Sequence, residues 1–122
     1  MSSLQSKLYQ LGVAFAGITT NCYHYYRAVK TVPCIIWAET GEEGSFHSDN
    51  SDKEQRIIGT VHLFTKTEFD PLADSVQSTL ASLGATWSLN SVQYEDETNM
   101  IHFEWSWGIT FDGADPEGDD NG

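Results

Sequence analysis

The sequence predicts an α+β domain: an antiparallel sheet with two helices packed on one face, in the order helix, strands, helix, strands. Three observations carry that expectation. Apolar residues recur at helical spacing in two separate stretches, 4–15 and 72–83. Each stretch is followed by runs of β-branched and aromatic residues, several of which alternate with period two. Gly, Pro and Asp mark the changes from one pattern to the other.

The leading helix comes first. Ser2 and Ser3 can cap it, and Leu4, Leu8, Leu11 and Phe15 follow at spacings of four, three and four, which stacks them on one face. Gly17 is its stop. The next stretch, "NCYHYYRAVKTVP", is aromatic and basic, and Cys22–Tyr26 reads as a short extended segment. Pro33 then opens "CIIWAET", a strand over Cys34–Glu39. A polar connection, 40–53, leads to a second strand. There Ile57, Gly59, Val61 and Leu63 share one face, and Arg56, Ile58, Thr60 and His62 share the other. The two strands read as a hairpin with a long loop.

"DPLADSVQSTLASLG" is the clearest element. Asp70 is the N-cap, Pro71 takes the first helical position, Leu72, Val76, Leu80 and Leu83 form the stripe, and Gly84 ends it. Two strands follow, "TWSLNSVQYED" and "NMIHFEWSWGITF", joined by a turn at "DETN". In the second, Ile101, Phe103, Trp105, Trp107, Ile109 and Phe111 face one way, with His102, Glu104 and Ser106 opposite. In the first, Trp87 and Leu89 are out of phase with Val92 and Tyr94, which predicts a bulge near Asn90–Ser91. Trp105 and Trp107 are expected in the core. Trp37 shares a face with Ile35 and Glu39 and is read as an interface aromatic. The domain is expected to span 1–111, and 112–122 to be an acidic, disordered tail.

At 122 residues the chain has the length of one domain. Its formal charge of −12 comes from 18 acids against six bases. Such a field repels phosphate backbones, since nucleic-acid affinity comes from Lys and Arg displacing counterions. Cys22 and Cys34 form no C-x-x-C and read as two reduced, partly buried thiols. No stretch approaches the length of a membrane span and the N-terminus lacks the pattern of a secretion signal. A soluble, intracellular protein with no membrane partner is the expectation.

Constellations for chemistry are thin. Asp49, Asn50 and Asp52 suggest calcium, but a calcium loop needs alternating oxygens, a glycine at its turn and a closing glutamate. Counted from Asp49, those places hold Lys53, Glu54 and Thr60. His62 and His102 lie on polar strand faces and read as solvent-facing, although neighbouring strands would bring them together. Two imidazoles without a placed carboxylate make no zinc site. His24 with Cys22 or Cys34 is equally under-specified as a nucleophile pair. Neither a nucleophile elbow nor a P-loop nor a glycine fingerprint occurs. The expectation is a protein that is not an enzyme and uses no cofactor or metal. A loop longer than a hairpin needs has a contact to make.

The segment "YHYYRAVKTVPCIIWAETGEEGSFHSDNSDKEQRIIGTVHLFTKTEFDPLADSVQ", with the later "WSLNSVQYEDETNMIHFEW", resembles tail terminator, or tail completion, proteins of long-tailed bacteriophages and prophages. The likeness covers roughly residues 4–110 and rests on the whole-chain pattern. It implies a hexameric ring that caps the tail tube and joins it to the head–tail connector or stopper. DNA would pass through the lumen without being bound, a role to which a negative charge is suited. It also implies a place in the neck of the virion, after assembly in the host cytoplasm. On this reading the loop 40–53 is a contact arm to a neighbouring subunit or the tube. Glu42, Glu43, Phe46, His47, Asp49 and Asn50, with Trp37, are the expected interface residues, and Phe46 is the anchor. A head–tail adaptor or minor capsid protein is the nearest alternative. An acidic DNA-mimic inhibitor is the alternative of another class, but five of the acids lie at 112–122 and not on a folded surface.

Overall fold

A computed structural model describes residues 3–26, 28–29, 31–44 and 54–112. The elements are α1 (Ser3–Ala16), β1 (Cys22–His24), β2 (Cys34–Glu42), β3 (Glu54–Thr65), α2 (Pro71–Ser82), β4 (Thr86–Glu95) and β5 (Met100–Asp112). The fold is α+β in the expected order, with one five-stranded sheet ordered β1-β2-β3-β5-β4. Three of its pairings are antiparallel, while β1 adds in parallel beside β2, with Cys22 opposite Ile35 and His24 opposite Trp37. Asn21 holds that parallel connection closed, its side-chain amide donating to Thr31 O at 2.9 Å and Pro33 O at 3.0 Å.

One face of the sheet carries the core. Leu11 and Phe15 of α1 and Val76 and Leu80 of α2 pack with Ile35, Trp37, Val61, Leu63, Trp105 and Trp107. Two glycines make room for indoles. A Cβ on Gly12 would stand 3.1 Å from the Trp37 ring, and one on Gly59 would collide with Trp107 and with Ala38 O. Trp37 is therefore a core residue, only 3% exposed. That corrects its reading as an interface aromatic. Cys34 to Trp37 are all buried, so both faces of β2 are covered there and alternation could not reveal which way each residue points.

Local chemistry fixes the second helix as expected. Asp70 Oδ1 accepts from the Leu72 N–H at 2.9 Å, while its Oδ2 accepts from the buried Thr65 hydroxyl at 2.6 Å. The cap thus ties the end of β3 to the start of α2. Gly84, at φ 76, closes the helix, with its N–H on Ala81 O. The predicted bulge is present, with a register shift between Leu89 and Ser91. Its extra residue, Asn90, turns its amide to Ser106 Oγ at 2.7 Å.

Strand boundaries differ from expectation at the long hairpin. β2 runs to Glu42 and β3 begins at Glu54, with a second bulge between Glu39 and Gly41, so the connection is 43–53 and not 40–53. Asp112, placed in the tail by the sequence, is the last residue of β5. Residues 113–122 lie outside the described residues. No helix among the described residues is long and apolar enough to cross a membrane.

Candidate functional site

Three places on the described surface gather side chains that the core does not absorb. The first is a groove between α1 and the β1–β2 edge, a cleft of about 510 Å³ whose walls include Tyr9 and Val13 of α1 and His24, Tyr25 and Glu39. Its floor is a stack of rings. His24 lies on Trp37 with centroids 3.9 Å apart and planes 7° from parallel, and Tyr25 lies on His24 at 3.8 Å. Tyr25 reaches that place through a left-handed backbone, φ 74, an uncommon conformation for a bulky residue.

Glu39 locks the stack. Its carboxylate accepts from the Tyr25 hydroxyl at 2.5 Å and meets His24 Nε2 at 2.7 Å. Burial works to raise its pKa, but the hydrogen bonds from Tyr25 and His24 prevail and hold the carboxyl below the usual range. The same bond, first, pulls the Tyr25 phenol upward. Cys22 also lines the groove, yet burial, and then Cys34, push its thiol up to about 11. At neutral pH it is a protonated thiol, not a nucleophile. The groove has the makings of a recognition surface: flat aromatic area, rigidly held, with few polar atoms left to satisfy.

The second place is β4. It is an edge strand of ten residues, and all but one are exposed. Trp87, Leu89, Val92 and Tyr94 stand in register with Trp107, Trp105, Phe103 and Ile101. Because the bulge absorbs one residue, all four fall on the helix side of the sheet, where they are 39–59% exposed. An apolar stripe along an uncovered edge is what soluble proteins suppress unless it has a partner.

The third lies on the opposite face. His62 on β3 and His102 on β5 are adjacent across the sheet, and His62 Nδ1 is 2.8 Å from His102 Nε2. Phe64 stacks on His102 at 4.2 Å. Burial holds both imidazoles below their usual pKa, and His62 adds repulsion at His102, while the nearby Glu104 opposes the shift at each. They are a half-buried hydrogen-bonded pair and not the solvent-facing residues the sequence suggested. Among the described residues, no group of three or more His, Cys, Asp or Glu is placed to hold a metal ion.

Of the seven expected interface residues, the described residues include Glu42, Glu43 and Trp37. Glu42 ends β2, opposite Ile57. Glu43 is tied to β3, accepting from Arg56 Nε at 2.8 Å and donating its N–H to Arg56 O at 3.0 Å. Phe46, His47, Asp49 and Asn50 lie outside the described residues, and Trp37 is in the core. Sequence reasoning missed the groove and the β4 stripe. The signal for the stripe was there: a phase break between Leu89 and Val92 puts four large apolar residues on one face only if the bulge is real. No family model matches this chain, and no curated protein matches it.

Proposed function

We propose that this chain is a ring-forming structural protein of a bacteriophage neck, a tail terminator that caps the tail tube and joins it to the head connector while DNA passes through its lumen. One observation carries the reading: a ten-residue edge strand, β4, with an apolar stripe left open along one face. Such an edge is a liability for a free monomer and an asset for an assembly. The sheet's other end is different, a three-residue strand beside an aromatic groove. A subunit with two unlike sticky ends associates head to tail, and head-to-tail contacts close into rings when the rotation per subunit divides the circle. The net charge of −12 suits a conduit that must not hold DNA.

Electron microscopy of the full chain, alone and mixed with tail tubes from headless phage particles, tests this reading. Hollow rings, seated at tube ends in the mixture, are the expected outcome. Rings that bind connectors but never tubes would make the chain a head–tail adaptor. A chain that remains monomeric in both preparations would end the proposal.

A further inference from the structure

We infer that the groove between α1 and the β1–β2 edge is a binding site for an arginine side chain carried on an apolar segment of a partner protein. The inference goes beyond the ring reading and does not depend on it. The groove offers one negative charge. Burial opposes the ionisation of Glu39, but the hydrogen bonds from Tyr25 and His24 outweigh it, so a carboxylate stands in the wall at neutral pH. No lysine or arginine among the described residues lines the groove. Tyr25 and His24 each engage one oxygen of Glu39, and a carboxylate has about four lone-pair sites, so acceptor capacity remains. The net charge of −12 adds a field that favours a cation there.

The rings beside Glu39 select the kind of cation. Trp37, His24 and Tyr25 form a face-to-face stack, with planes 7° and 17° apart, and Tyr25 ends it, 53% exposed. A further flat group continues such a stack. A guanidinium is flat, cationic and drawn to the π face of a tyrosine, and its N–H fork suits a carboxylate. Glu39 stands at the ring's edge, where it already accepts from the Tyr25 hydroxyl. A lysine ammonium would answer the charge but not the stack. The platform is also built before any ligand arrives. The left-handed backbone at φ 74 and the bond to Glu39 fix Tyr25, so it loses little freedom on binding. Backbone strain of that kind gathers at ligand clamps.

The form of the groove points to a polypeptide. Sites for free small molecules enclose about 70–90% of the ligand. Here the walls Tyr9, Val13 and Tyr25 are each more than half exposed, too open for that. Leu8, Gly12 and Ala16 carry the wall along about two turns of α1, which gives apolar length for the neighbours of the arginine. A second copy is the weaker occupant, since Arg56, the arginine among the described residues, already donates to Glu43 and Thr86. A side chain seated in the groove does not use the outer main-chain edge of β1, so this contact and a ring contact are separable.

NMR titration of the full chain with three probes tests the site, at about pH 8, where imidazoles are neutral and carboxylates ionised. The probes are a short capped peptide with one arginine among leucines, the same peptide with citrulline, and capped arginine amide alone. Citrulline keeps the flat head and loses the charge. The arginine peptide should shift the amides of Tyr25 and Glu39 and bind about tenfold more tightly than the citrulline peptide. That comparison needs no variant. Glu39→Gln should then abolish the preference and Tyr25→Leu should weaken both peptides, with thermal unfolding to verify that each variant folds. Equal binding of the two peptides, a preference that survives Glu39→Gln, or shifts confined to other faces would overturn the inference. Capped arginine that binds as tightly as the peptide would overturn the partner segment in favour of a free cation. Peptide binding that competes with self-association of the chain would give the groove to a second copy and overturn the partner assignment.

Discussion

Trp107 on β5 and Trp87 on β4 face each other in register on the same side of the sheet, yet the first is 1% exposed and the second 39%. Residue type and strand phase are the same for both. What differs is the width of the cover. A helix with its side chains is about 10 Å across and strands lie about 4.8 Å apart, so two helices side by side cover about four strands. This sheet has five. α1 sits at the β1 end, beside Trp37, and α2 reaches Trp105, whose Nε1–H donates to Gln77 Oε1 at 3.0 Å. β4 is the strand left over. Apolar phase in a strand thus states which side a residue faces, not whether this chain supplies what lies on that side.

The largest effect should separate the two strands outright. Trp105→Ala should cost about 3–5 kcal/mol, because it empties a cavity between sheet and helices and leaves Gln77 without its donor. Trp87→Ala should cost under about 1 kcal/mol in the monomer, since solvent already reaches that ring. Denaturant titration of each at low protein concentration gives the comparison. Equal losses would mean that β4 is covered in the free chain, and the partner argument would fail with it.

A finer comparison lies within β5 itself. Trp105 has a hydrogen-bond partner, whereas Trp107 Nε1 is buried with none among the described residues. Leaving a buried donor unsatisfied costs about 1–3 kcal/mol, and that cost disappears when the group is removed. Trp107→Phe should therefore be better tolerated than Trp105→Phe by about 1–2 kcal/mol, although both lose ring volume. If the order reversed, the Trp107 nitrogen would have a partner that the folded chain provides.

These contrasts show which parts of the molecule the sequence could reveal. The Asp70–Pro71 start of α2 was legible because capping is decided by residues within one turn. The β4 bulge was legible because alternation breaks visibly when one residue is inserted. Trp37 was misread because β2 is buried on both faces, so its pattern carries no side information. The short extended segment at Cys22–Tyr26 was legible and contains β1, but its parallel pairing and the groove it builds were not. Three residues hold no period, and the side chain that ties the ends of the connection together, Asn21, bonds to Thr31 and Pro33, ten and twelve residues away. The histidine pair depended on strand order, which phase alone does not give.

That pair yields the smallest expected effect, and it contrasts the polar face of the sheet with the apolar one. Burial lowers the folded pKa of both His62 and His102, while an unfolded imidazole titrates near about 6.5. As pH falls below that value the unfolded chain binds protons that the folded chain resists, so stability falls. The contribution is whole above about pH 6.5 and is lost as pH drops toward the folded values. Glu39, held low by Tyr25 and His24, adds a similar loss, but only below about pH 4.3, where unfolded glutamate begins to protonate. Acid also relieves the repulsion within a chain of charge −12, which works the other way, so wild type alone is ambiguous. The difference between wild type and His102→Gln removes that background. Glutamine stays neutral, and His62 loses a cationic neighbour, so the variant's melting temperature should fall less between about pH 7 and 5. Phe64, Gln93 and Glu104 also flank His102, with Glu95 lining the same pocket, and of these carboxylates it is Glu104 that works to raise the His102 pKa. Were Glu104 to dominate, both folded values would lie above 6.5 and acid would stabilise wild type more than the variant. The sign of the difference between the two melting curves decides whether burial or Glu104 governs this face.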